Sequence, residues 1–133
     1  GKSLWNGSQI YTRTSKDVQI YGNDITAAGT GTHGISIRAG DPPYTTANCG
    51  VVQGKNIAVH DNIIRLDMAT PDLHGVVGAA AGYGATNQLR FYNNTYYLSN
   101  LAGQYFLYDG VLMTRTQWQA AGQDVTGQFL QSP

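Results

Sequence analysis

Two histidines stand at equivalent places, His33 before Gly34-Ile35 and His74 before Gly75-Val76. A neutral imidazole can take a proton from carbon or water, and a charged one can pair with a carboxylate. A turn histidine bonded to backbone is the plainer use of the same residue. Arg38 follows the first of these segments and can hold an acidic group, or simply be solvated. Asp41, Asp67 and Asp72 offer either the carboxylate pair of a hydrolase or oxygen ligands for Ca²⁺. Their spacing is irregular and fits no metal-binding loop, and turn formation is the usual role of such aspartates. Tyr44 lies in the longest connection, residues 39–50, and is expected at the surface. Tyr92, Tyr96, Tyr97, Tyr105 and Tyr108 form an aromatic cluster that can meet flat ligand rings or a neighbouring subunit.

The chain that must position these groups has 133 residues, within the usual range for one domain. Lys plus Arg and Asp plus Glu balance at 8 each, and charged residues are 12% of the total. No basic stripe exists to neutralise phosphates, which argues against a nucleic-acid partner. Nine tyrosines and low net charge argue against disorder. No apolar run approaches the ~20 residues of a membrane helix. The N-terminus lacks the apolar core of a signal peptide, so any such signal is expected upstream or removed. The single Cys49 excludes an internal disulfide or a multi-cysteine metal site. The glycine-rich stretch 29–34 has no following P-loop lysine, and no nucleophile elbow accompanies the Ser, His and Asp types. The two N-x-S/T triplets, at Asn6 and Asn93, are too short to carry an argument. Every acidic residue is Asp, which favours turns over helices.

Three segments align without gaps: residues 17–25, 56–64 and 88–96. Each reads apolar–x–apolar–x–(Gly, Asp or Asn)–Asn–x–(apolar or aromatic). Val18/Ile20, Ile57/Val59 and Leu89/Phe91 point to one side of a short strand. One such strand cannot bury its apolar side alone, so the spacing predicts stacked parallel strands with a continuous core. Asn23, Asn62 and Asn94 then fall one above another at a tight bend, where their amides can bond from copy to copy. A second element follows each copy, at residues 33–37, 74–78 and 104–108.

This pattern resembles the right-handed parallel β-helix superfamily, whose best-known members are the pectate lyases. The resemblance covers residues 8–112 and implies three short strands per coil, with an asparagine ladder between the second and third. It implies an all-β solenoid of three to four coils, closed by a cap over residues 113–133. In such proteins long loops flanking the first strand build a sugar-binding groove. The activity implied is a secreted polysaccharide lyase acting on a uronic-acid polymer, or an inverting glycoside hydrolase, of bacterial or phage origin. His33 or His74 would be the base and Arg38 the carboxylate clamp of a lyase; Asp41 and Asp72 would be the carboxylates of a hydrolase. Tyr44 and Tyr108 would contact substrate, and Ca²⁺ is the one cofactor to consider. A noncatalytic glycan-binding or structural β-helix, as in a tailspike or adhesin, is the alternative.

The ends depart from the repeat. Thr116 to Gln119 has capping-box spacing and Gly122 a terminating place, which together predict a short helix. Residues 123–129 are expected to form a last strand. Trp118, within a Trp-x-x-x-Gly-x-Asp segment like the closing segment of many carbohydrate-active β-helix proteins, is expected to cover the apolar end of the stack, or else to stack on sugar. The front end lacks an evident cap, apart from Trp5. It is expected to pack on an upstream segment or on another chain.

Overall fold

The computed structural model describes residues 8–28, 32–38, 44–47, 50–52, 54–67, 76–77 and 88–133. The first repeat copy supplies β1 (Ser8–Arg13), β2 (Lys16–Tyr21) and β3 (Asp24–Ala28). β4 (His33–Arg38) is followed by a two-stranded antiparallel excursion, β5 (Tyr44–Thr46) and β6 (Gly50–Val52). The second copy continues with β7 (Lys55–His60) and β8 (Ile63–Asp67), and the third comprises β9 (Val76–Val77), β10 (Leu89–Tyr92) and β11 (Thr95–Leu98). The chain closes with β12 (Gln104–Tyr108), β13 (Val111–Thr114), α1 (Arg115–Ala120) and β14 (Gln128–Gln131).

The described residues form an all-β fold with one short helix. Equivalent strands of successive copies pair in parallel, giving three sheets ordered β1-β4-β9-β12-β13, β10-β7-β2 and β14-β11-β8-β3. The register follows the sequence repeat: Val18 faces Ile57 and Ile57 faces Leu89, while Ile25, Ile64 and Tyr96 form the matching row of the third sheet. Alternation then sends Ile20, Ile57, Val59, Leu89 and Phe91 inward with Ile25, Ile64, Leu66, Tyr96 and Leu98, all buried. Each fully buried aliphatic side chain is worth about 1.5–3 kcal/mol, so the core rows hold the layers together.

Between the second and third sheets the asparagines form the expected column. The Asn23 backbone N–H and Nδ2 both donate to Asn62 Oδ1, at 3.1 and 2.9 Å. Asn62 repeats this onto Asn94 Oδ1 at the same distances. The second Nδ2 proton reaches a carbonyl, Ile20 O from Asn62 and Val59 O from Asn94. The left-handed residue at each bend is not the ladder asparagine but the one before it: Gly22, Asp61 and Asn93, with φ of 65°, 53° and 55°. The asparagine must instead stay in register to use both ends of its amide.

The column ends on a carboxylate that the repeat frame does not predict. Asn94 donates N–H and Nδ2 to Asp124 Oδ1 at 3.1 and 3.0 Å. Gln128 N–H donates to Asn94 O just as Thr95 N–H donates to Asn62 O, so Gly127 occupies the backbone register of the next ladder residue. A Cβ on Gly127 would lie 2.8 Å from Asp124 Cβ. The bare glycine leaves the space into which Asp124 folds back. Tyr96 Oη and Trp118 Nε1 donate to Asp124 Oδ2 at 2.5 and 3.3 Å. Burial raises the Asp124 carboxyl above the usual carboxylate range, with these donors partly opposing it, and raises Tyr96 well above an ordinary phenol.

The closing segment differs from expectation in two details. The capping box is Thr114 with Gln117, not Thr116 with Gln119, so the helix starts earlier and turns Trp118 wholly inward. The last strand is β14, beginning at Gln128, because residues 123–127 make the turn that brings Asp124 under the ladder. Gly122, at φ 82°, ends the helix as predicted. Trp118 covers the apolar end, edge-on to Phe91 at 4.9 Å and stacked on Phe106 at 5.1 Å, which leaves no face for a sugar. β13 folds back antiparallel on β12 and finishes the first sheet on that side.

Gly127→Ala is expected to lower stability by about 1–3 kcal/mol through overpacking against Asp124, measured by chemical denaturation. A carboxyl raised in the folded state contributes most below its unfolded pKa, and that contribution is lost as pH rises through the folded value. The stability of the natural chain relative to Asp124→Asn should therefore fall from mildly acidic pH upward and then level off. A difference independent of pH would refute the assignment.

Candidate functional site

The rule that buries alternate residues also stacks the outward ones. In the third sheet Thr26, Arg65, Tyr97 and Leu130 face one another in register and point away from the core. A groove of about 410 Å³ opens beside this row, lined by Thr26, Arg65, Asp67, Tyr97, Ser132 and Pro133. The C-terminal segment forms one wall, held by Ser132 N–H donating to Leu98 O at 2.9 Å. The Arg65 guanidinium is ion-paired with Asp24 and lies 5.2 Å from the centre of the Tyr97 ring. One cation is thus held by a carboxylate on one side and an aromatic face on the other. Its side chain remains 39% exposed. A guanidinium has five N–H donors and Asp24 does not use them all, so part of the fork is available to an anion in the groove. Asp67 and Thr26 add an acceptor and a hydroxyl, suited to sugar hydroxyl groups.

A second outward row runs along the neighbouring sheet. Tyr21, His60 and Tyr92 stack with ring centres 5.2 and 4.7 Å apart and planes within 4°. The His60 ring is fixed at both nitrogens, Nδ1 to Asp61 Oδ2 at 2.6 Å and Nε2 to Gln19 Oε1 at 3.3 Å. Asp17, Asn56 and Arg90 form a parallel polar chain, with Asn56 Nδ2 donating to Asp17 Oδ1 and Arg90 Nη2 to Asn56 Oδ1.

Of the residues singled out from sequence, His33 begins β4 and is buried, Arg38 closes β4 and Tyr44 opens β5. Asp41, Asp72 and His74 lie outside the described residues. Tyr108 ends β12, buried edge-on to Trp118, with its hydroxyl accepting from Gln123 Nε2 at 3.4 Å; burial raises its pKa. Tyr96 and Tyr105 are buried as well, whereas Tyr92 is exposed and Tyr97 half-exposed. Asp67, considered from sequence, does line the groove. Spacing along the chain does not single out Arg65. The signal for it is its place three residues after the ladder asparagine, shared with Thr26 and Tyr97. Among the described residues no group of three or more His, Cys, Asp or Glu is placed to hold a metal ion.

Comparison with protein-family models, curated proteins and solved structures returns no match. Tyr97→Ala removes an outward ring and is expected to cost only about 0.5–1 kcal/mol in thermal or chemical unfolding. A larger loss would mean that the row supports the fold rather than a ligand.

Proposed function

We propose that this chain is a right-handed parallel β-helix of the pectate lyase-like kind, secreted, which binds an acidic polysaccharide along the outer face of its third sheet. The observation that carries this reading is the groove beside Arg65 and Tyr97, where a partly exposed guanidinium, a tyrosine ring and the Asp67 carboxylate line one cleft. A uronate supplies the carboxylate for the free side of the Arg65 fork, and its ring hydroxyls suit Asp67 and Thr26. The parallel stacking of three strands per copy, with the amide column at the bend, supports the architecture.

Binding is favoured over turnover by where the groups lie. A lyase needs a base that reaches the sugar C5 proton, and a hydrolase needs two carboxylates roughly 6.5–9.5 Å apart. The candidate base among the described residues, His33, is buried in the first sheet, on a different sheet from the groove. The catalytic reading rests on Arg38, at the end of β4, and on His74, Asp41 and Asp72, which lie outside the described residues.

Polygalacturonate, alginate and a neutral glucan separate these readings in one experiment. The acidic polymers are expected to retard the protein in affinity electrophoresis while the neutral one does not. Arg65→Gln should weaken that retardation roughly tenfold, the scale of a charge-assisted contact. Neither unsaturated uronide nor new reducing ends should accumulate. Turnover would replace the binding reading with the catalytic one, and no retardation by any polymer would end both.

A further inference from the structure

The outward face of the third sheet surrounds its cation with carboxylates. Register sets Asp24 opposite Ile63, Thr26 opposite Arg65 and Ala28 opposite Asp67, and alternation turns these side chains away from the core. Arg65 therefore has a carboxylate on either side along the strand direction. Asp24 stands one layer before it and two positions back, and Asp67 stands two positions on in its own strand. Two positions of strand span about 6.6 Å. The guanidinium is ion-paired with Asp24, whose side chain is 60% exposed. A pair so open to water adds little to stability, so its main consequence is to neutralise part of the charge that Arg65 presents.

Arg65 is the cation and Asp67 the carboxylate among the residues that line the groove, and with Asp24 the cluster is net negative. Tyr97 and Leu130, in register beyond Arg65, add no formal charge. A bare guanidinium would take a sulfate as readily as a carboxylate. This one lies in a cluster that attracts an anion at one point and repels it at two. A uronate can place its carboxylate on the free edge of the fork and turn ring hydroxyls toward Asp67, where each hydroxyl donates and the carboxylate accepts. A ring that bears sulfates in place of hydroxyls sets acceptor against acceptor and charge against charge there. Like-charge contacts of this kind reject a wrong ligand without adding affinity for the right one.

We infer that Asp24 and Asp67 determine the specificity of the groove: they exclude densely charged polyanions and leave it to polymers with a single carboxylate on each ring and free hydroxyls beside it. The inference rests on the reading of the groove as a site for acidic polysaccharide, and it divides the labour within that site. Arg65 attracts, and the two aspartates select.

Affinity electrophoresis of the whole chain in polygalacturonate and in dextran sulfate reads this selection. The natural chain is expected to prefer polygalacturonate by roughly tenfold or more, the scale of an unfavourable charge contact. Asparagine at both positions keeps an acceptor for the guanidinium and for sugar hydroxyls and removes only the charge. Asp24→Asn combined with Asp67→Asn should bring dextran sulfate to within about threefold of polygalacturonate, and a further Arg65→Gln should abolish that gain. Loss of folded protein lowers both retardations alike, so the ratio between the polymers reports selection rather than stability. An unchanged ratio in the double variant, equal retardation of the natural chain by both polymers, or a gain that survives Arg65→Gln would overturn the inference and leave uronate binding standing. No retardation by polygalacturonate would instead end the groove reading, and this selection with it.

Discussion

A side-chain amide that must give and receive hydrogen bonds along one line ties each layer of this protein to the next. Asn62 accepts two N–H groups from Asn23, donates two to Asn94, and uses its second amide proton on the Ile20 carbonyl. Such an amide is satisfied only if the layers are parallel and in register. A shift of one residue would turn the inward row outward and leave buried amides without partners, each costing about 1–3 kcal/mol. Apolar rows supply most of the burial energy, but any flat apolar row can slide. The amide column cannot, which makes it the element that selects this register.

A column of polar groups needs an end, and here the end is ionisable. Asp124 takes the place an asparagine would hold, and as an acceptor it gathers Asn94, Tyr96 and Trp118 at one point. An asparagine there would offer Nδ2 toward Trp118 Nε1, donor against donor. The carboxylate resolves this at the cost of burying charge, and its raised pKa is the sign of that cost. The aromatic lid of Trp118 on Phe91 and Phe106 is bound to the same point, so closure of the apolar core and closure of the amide column are one event.

Register that stacks the core also stacks the surface. Tyr21, His60 and Tyr92 become a column of rings, while Asp24, Arg65 and Tyr97 become a carboxylate, a cation and an aromatic face in sequence. Side chains on a regular sheet lose little further freedom on meeting a ligand. A row of this kind is a rigid template, and the groove beside Arg65 owes its shape to it.

The period of the repeat, the inward rows and three rungs of the ladder were legible in the residues, because alternation and a recurring Asn at one offset are local signals. Trp118 as lid and Gly122 as helix stop were legible for the same reason. The fourth rung was not: Asp124 reaches the ladder from outside the repeat frame, through a turn that depends on a bare Gly127. Two Thr-x-x-Gln frames, two residues apart, overlap at the helix start, and only the burial of Trp118 chooses between them. Arg65 is not legible in the residues because its partners, Asp24 and Tyr97, lie one layer away on either side. Sequence alone determined what repeats and which side of each strand is apolar, since both follow from spacing along the chain. Tertiary structure decided which residues from different layers share a row and how the stack ends, since those contacts join residues some thirty or forty positions apart and exist only once the layers are in register.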